Sequence, residues 1–412
     1  MILRYETWGA WVKVESPPAL VALDRDAVRA LGLDGRERWS DDAAPRSAPL
    51  EVHVAVTSRC AAGCRGCYLD ARPDGVEPPR ETLLAAFDAL AAAGVFTVAF
   101  GGGEPTTRED LHLLAEDART RGLTPVLTTS GLGLAGAADE EVDRLRPFAQ
   151  VNVSYDGAES DYATVRGFDG ARHAEAAILA LARRGIRVGV NVVLTRETFP
   201  SLRTTLERAR ALGAQEAQLL RYKPAGRAAS LDYLARRLTP AQAASLGPVL
   251  RALVEEWAPA GFRVRIDCAL VPFFSADPSI DPAAMRRFGV LGCEAGNALA
   301  ALRVDGRVAP CSFAEPTGLG AADIAARSEE DPELETWRAW NAAPPEPCAS
   351  CALREVCRGG CKVVSRFVDG RHGSDPECPR VRAFRAPDVV AQLPTSTGSG
   401  ASATPNASAT PR

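Results

Sequence analysis

A chain of 412 residues with a net charge of −4 and no basic tract, its Lys and Arg residues dispersed, lacks the electrostatic footprint of a nucleic-acid binder. The first eight residues have neither the basic stretch nor the apolar stretch of a secretory signal. The nearest approach to a membrane span, 83–100, is interrupted by Asp88, Gly94 and Thr97, and a helix followed by a strand accounts for it better. A cytoplasmic protein with no nucleic-acid partner and no membrane association is expected. The chain also lacks the G-x-G-x-x-G spacing of a dinucleotide site and the Gly-Lys-Ser/Thr of a phosphate-binding loop. Cysteine is absent from 68–267. In a reducing compartment the eleven cysteines are available to metal or catalysis rather than to disulfides.

What is present is a hydrophobic content of 46%, enough for real cores, and a clear alternation of element types. Residues 2–15 and 19–23 read as a hairpin, 24–31 as a helix, and the charged, proline-rich 36–49 as a linker. The hairpin, with Trp8-Gly-Ala-Trp11, is expected to close an edge of the barrel. Strand patterns at 50–57, 95–100, 124–129, 150–154, 186–194 and 216–220 alternate with helical patterns at 80–93, 109–121, 171–184 and 199–212. Six β/α units predict an α/β fold, the signature of a parallel sheet or a partial TIM-like barrel. After Leu238 a helix at 240–257 and a strand at 262–267 lead into a cysteine- and proline-rich region, a second domain or long extension. The segment 394–412 is Pro, Thr, Ser, Gly and Ala with almost no large apolar residue, and disorder is expected there.

The chemistry begins directly after the first barrel strand. Cys60, Cys64 and Cys67 stand in C-x3-C-x2-C spacing within 57–68. Three thiolates can hold a four-iron cluster and leave one iron open to a ligand that is not protein; half of a zinc site is the alternative. After the second strand comes Gly101-Gly102-Gly103-Glu104-Pro105. Ligands of parallel β/α sheets bind at the C-terminal strand ends, so this turn is expected beside the cysteines, with Glu104 able to accept from an ammonium group.

These two motifs resemble those of the radical S-adenosylmethionine superfamily, over about residues 50–225. The resemblance implies that Cys60, Cys64 and Cys67 ligate a [4Fe-4S] cluster whose open iron chelates S-adenosylmethionine, and that Gly102, Gly103 and Glu104 meet its amino group. It further implies ribose contact at Ser154 and Asp156 and carboxylate contact at Arg166, while Asn191 is in reach of the adenosine. Taken singly, Ser154 and Asp156 also fit a turn or helix cap, and Asn191 a strand amide satisfied by backbone. Where many relatives have an aromatic before the third cysteine, this chain has Gly66, with Tyr68 following.

Downstream, Cys293-x12-Gly306-x4-Cys311, Cys348-x2-Cys351-x5-Cys357-x3-Cys361 and Cys378 resemble the SPASM module of peptide-modifying radical enzymes. The resemblance implies two auxiliary [4Fe-4S] clusters: a distal one on Cys348, Cys351, Cys357 and Cys378, and a nearer one on Cys293, Cys311 and Cys361. Cys268 is either the eighth ligand or a core thiol, and a zinc ribbon is the alternative for the Cys348 to Cys361 group. The implied organisation is an N-terminal extension at 1–48, a radical core at 49–238, a bridge at 239–292 and the SPASM domain at 293–385. The implied activity is hydrogen abstraction from a peptide or protein side chain, with crosslinking or another modification of a ribosomally made peptide. An electron donor such as flavodoxin or ferredoxin and a separate leader-binding partner would serve it. The same chemistry on a small molecule, or a non-catalytic iron–sulfur carrier, are the competing expectations; intact Gly102, Gly103 and Glu104 weigh against a carrier. Asp267, Asp277, Tyr222 and Arg221 lie near strand ends and read as structural, so no general acid or base is assigned.

Overall fold

In the computed structural model the described residues are 2–15, 18–41, 46–158, 160–230, 232–326, 331–340 and 343–391. The tail expected to be disordered, 394–412, lies outside them, as do 42–45 of the expected linker. Six parallel strands run in sequence order: β4 (Glu51–Thr57), β5 (Thr97–Gly102), β6 (Thr124–Thr129), β7 (Val151–Ser154), β8 (Val188–Leu194) and β9 (Glu216–Arg221). On β4 the alternation is visible directly. Val52, Val54 and Val56 are buried in the core that includes Leu83, Phe87 and Leu90 of the helix Arg80–Ala92, while Glu51 and His53 point to the other face.

Two strands from beyond the expected barrel extend it. Strand β10 (Arg263–Ile266) pairs parallel with β9, and β11 (Leu299–Leu302), followed by β12 (Val308–Ala309), pairs parallel with β4. Both lead into cysteine-bearing segments: Cys268 opens the 3-10 segment Cys268–Ala276 just past β10, and Cys311 follows β12. Cys268 thereby lies at a C-terminal strand end, whereas β12 runs antiparallel to β11 and turns the chain back before Cys311.

The N-terminal residues differ from expectation. Strands β1 (Ile2–Glu6), β2 (Gly9–Glu15) and β3 (Pro18–Asp24) form a separate antiparallel sheet that shares no ladder with the barrel, so they do not close its edge. Their anchors are side chains reaching backbone carbonyls: Arg4 Nη1 donates to Pro49 O at 3.0 Å and Gly94 O at 2.9 Å, and Lys13 Nζ to Gly122 O at 2.8 Å. Those carbonyls lie in turns that precede barrel strands, so the small sheet sits at the end opposite the Cys60, Cys64 and Cys67 loop.

Candidate radical and iron–sulfur sites

The two motifs of the barrel meet backbone to backbone. Gly103 N donates to Thr57 O at 2.7 Å and Glu104 N to Arg59 O at 2.9 Å, so the glycine turn lies on the start of the cysteine loop. Only glycine allows it. A Cβ on Gly102, whose φ is +115°, would stand 2.1 Å from Thr57 O, and one on Gly103 2.2 Å from Arg59 O. The far side of the cysteine loop is tied down by Arg227, which donates from Nε to Cys64 O and from its backbone N to Cys67 O, both at 2.9 Å. Arg65 N donates to Arg166 O at 2.9 Å, linking the loop to the helix Ser160–Arg166.

Of the side chains expected to contact S-adenosylmethionine, four already have protein partners. Glu104 is buried, and its carboxylate accepts from Thr106 N and Oγ1, Thr129 Oγ1 at 2.7 Å, and Ser130 N at 2.7 Å and Oγ at 2.5 Å. Its acceptors thus order the turn against the end of β6. Asp156, also buried, accepts from Val193 N at 2.7 Å and Arg166 Nε at 2.5 Å. Burial disfavours the Arg166 charge, but Asp156, with Cys64 and Tyr162, more than offsets this and holds the guanidinium above its ordinary range. Ser154 ends β7 opposite Asn191 of β8, and Asn191 Nδ2 donates to Thr128 Oγ1 at 3.4 Å.

At Gly66 a Cβ would lie 2.9 Å from the ring of Tyr222. Tyr222, just past the C-terminal end of β9, thus occupies the space beside Gly66, and the sequence carries no local sign of this. Tyr68 packs on Phe313 with ring centroids 4.7 Å apart. Burial, reinforced by Cys67, pushes its phenol up to about 12.

The downstream cysteines separate into two groups. Cys348, Cys351, Cys357 and Cys378 line one cavity together with Ser275, Gly359 and Asp375. Cys378 Sγ lies 3.1 Å from Ser275 Oγ, and Cys348 Sγ donates to Ser374 Oγ at 3.4 Å. In the second group, burial pushes the thiols of Cys311 up to about 11 and Cys361 up to about 12, and Cys268 far above its ordinary range. The negative charge of Cys293 adds to each of these shifts, so Cys268 belongs electrostatically with Cys293, Cys311 and Cys361. Lys223 opposes the shifts; its buried ammonium is paired with Asp267 and sits 4.1 Å from the Phe313 ring centroid.

Among the described residues no three His, Cys, Asp or Glu side chains converge closely enough to hold a single metal ion. Each thiolate of a four-iron cluster binds a different iron, so its ligands need not converge on one point. Buried thiols that raise one another's pKa are a donor set relieved by a cationic iron–sulfur core, and both downstream groups fit one. All eleven cysteines are free.

One network that sequence reasoning missed joins the barrel to the last cysteine loop. Arg221, at the end of β9, donates to Asp375 at 2.5 and 3.0 Å, to Glu377 at 2.8 Å and to Ala269 O at 3.0 Å, all buried. Asp375 also accepts from Cys361 N at 3.0 Å. With its partners 154 and 156 residues away, this function of Arg221 leaves no local sequence signal.

Residues 54–209 match the family model described as the Radical SAM superfamily. A PqqA peptide cyclase of Rhodopseudomonas palustris is 29% identical over 349 residues, covering 80% of this chain and 86% of that protein. The crystal structure of Streptococcus suis SuiB bound to precursor peptide SuiA is similar with a TM-score of 0.68 at 18% identity, over 91% of this chain and 98% of that one. Native anSMEcpe with bound AdoMet and Cp18Cys peptide is similar with a TM-score of 0.60 at 19% identity, over 83% and 98% of the two chains. Among the described residues no helix is long and apolar enough to cross a membrane.

Proposed function

We propose that this radical S-adenosylmethionine enzyme abstracts a hydrogen atom from a side chain of a ribosomally made peptide and installs a crosslink or related modification. The observation that carries the reading is that two further cysteine groups are joined to the barrel, one segment through Phe313 packed on Tyr68 of the Cys60, Cys64 and Cys67 loop and the other through Asp375 bound to Arg221. Similarity to a peptide cyclase along four-fifths of the chain supports a peptide as substrate. When bound, a [4Fe-4S] cluster and S-adenosylmethionine supply a 5′-deoxyadenosyl radical; the chain's residues bind, orient and shield.

Cys60, Cys64 and Cys67 hold the radical-generating cluster in this reading. Because the Glu104 carboxylate is occupied by Thr106, Thr129 and Ser130, it acts by fixing the turn, and the backbone carbonyls of Gly102 and Gly103 receive the amino group. Arg166, held by Asp156, faces the carboxylate, and Ser154 and Asn191, neighbours across β7 and β8, meet the adenosine. Two auxiliary clusters complete the set: Cys348, Cys351, Cys357 and Cys378 for the distal one, and Cys268, Cys293, Cys311 and Cys361 for the nearer. The radical core spans 49–238, a bridge 239–292 and the auxiliary domain 293–385. The protein works in the cytoplasm with flavodoxin or ferredoxin as electron donor and a separate leader-binding partner.

The test is anaerobic reconstitution with S-adenosylmethionine, reductant and a short peptide encoded beside the gene. 5′-Deoxyadenosine together with hydrogen mass lost from the peptide is the expected result. No 5′-deoxyadenosine at full iron loading would sink the radical reading. Iron at about four per chain instead of about twelve would remove the auxiliary clusters.

A further inference from the structure

Six Lys or Arg residues are buried among the described residues: Arg4, Arg108, Arg221, Lys223, Arg236 and Lys362. Five have a carboxylate partner, respectively Glu6, Asp110, Asp375 with Glu377, Asp267, and Asp232. Lys362 has none. It is 1% exposed, its ammonium donates to Arg358 O at 2.5 Å and Gly360 O at 3.4 Å, and it stands 4.3 Å from the Trp340 ring centroid. The acids around this loop are already engaged: Asp375 with Arg221, and Glu294 with Arg358. A buried charge without an opposite charge is expensive, and neutral carbonyls with a ring face offset only part of that cost.

The packing that holds Lys362 is specific. Gly359 and Gly360 both take positive φ, +77° and +78°; a Cβ on Gly359 would lie 2.4 Å from Trp340, and one on Gly360 2.5 Å from Asp375. The loop is built so that Trp340 closes over the lysine. On the other side, the two carbonyls that hold the ammonium, Arg358 O and Gly360 O, flank Gly359, which lines the distal cavity together with Cys357.

We propose that the missing counter-charge is the distal auxiliary cluster, and that Lys362 is the buried cation that favours its reduced state. This rests on the reading of Cys348, Cys351, Cys357 and Cys378 as cluster ligands. A thiolate-ligated cluster is an anion, and reduction adds one more negative charge, so a fixed buried cation raises its potential. The nearer site is built differently: its lysine, Lys223, is neutralised by Asp267.

The test is an EPR-monitored redox titration of reconstituted protein carrying Cys60→Ala, Cys64→Ala and Cys67→Ala, which leaves only the auxiliary signals. The distal signal is the one that Cys351→Ala abolishes. With iron content retained, Lys362→Met is expected to lower the midpoint potential of that signal only, and Lys362→Arg to leave it near the parent value. Should Lys362→Met fail to fold, Lys362→Gln, whose amide can still donate to the two carbonyls, is expected to give the same lowering. An unchanged distal midpoint in the neutral variant, or an equal shift in Lys362→Arg, overturns the proposal. If the parent with its first three cysteines intact holds only about four irons, the auxiliary-cluster reading itself fails, an outcome recognisable before any lysine is changed.

Discussion

Arg221 ends β9 with its guanidinium wholly buried, and the carboxylates of Asp375 and Glu377 are as buried as it is. Removing the cation leaves both acids without their main partner. Arg221→Met is therefore expected to cost about 3–5 kcal/mol, read as a lower urea midpoint. The network also sets an acid limit. Burial raises the Glu377 carboxyl, but Arg221 and the Tyr233 hydroxyl outweigh this and hold it below its ordinary range. Its stabilisation is thus complete above the unfolded-state pKa, about 4.3, and is lost as pH falls through the lower folded value. Arg221→Met is expected to flatten that part of the stability–pH curve, which urea titrations at successive pH values will read. At Gly102 the reason for sensitivity is steric. Gly102→Ala puts a methyl against Thr57 O at a positive φ, and is expected to cost at least about 1–3 kcal/mol and to release iron selectively from the Cys60, Cys64 and Cys67 site.

At the scale of elements, the barrel strands were legible because one face of each is buried by helices, which writes alternation into 50–57 and its successors. The cysteine loops were legible because short spacings are local. The position of the N-terminal sheet was not, since it is anchored by Arg4 and Lys13 on backbone carbonyls, which have no residue signature. Nor was the pairing of β10 with β9 or β11 with β4: a four-residue strand shows where it is extended, not which edge it joins. The Tyr222 ring over Gly66 was hidden for the same reason, two segments far apart in sequence sharing one space. Arg4 gives the sheet's docking a direct test. Arg4→Ala removes its bonds to Pro49 and Gly94 and leaves Glu6 buried beside Ser47. A loss of about 3–5 kcal/mol in the local stability of β1–β3 is expected, seen as faster amide exchange there with β4–β9 unchanged.

Over the whole molecule, the chain threads the barrel first and then returns to its two outer strands, with Cys268 just past β10 on one side and Cys311 just past β12 on the other. Hydrophobic burial organises the barrel, whereas the region from Cys268 to Cys378 packs around thiols that burial makes reluctant to ionise. With the proposed auxiliary clusters bound, iron binding and folding are coupled in that region more than in the barrel. Cys268 is where this coupling is most sharply tested. It sits at the end of β10, and its thiol interacts with those of Cys293 and Cys361. As the fourth ligand of the nearer cluster, its replacement by alanine opens one iron while three thiolates still hold the rest. Cys268→Ala is expected to keep most of its iron, change the EPR signal of that cluster, and change it again when a small thiol such as 2-mercaptoethanol is added. A core thiol predicts something else: an unaltered signal, no response to added thiol, and only the roughly 1 kcal/mol loss of stability that a small buried truncation brings.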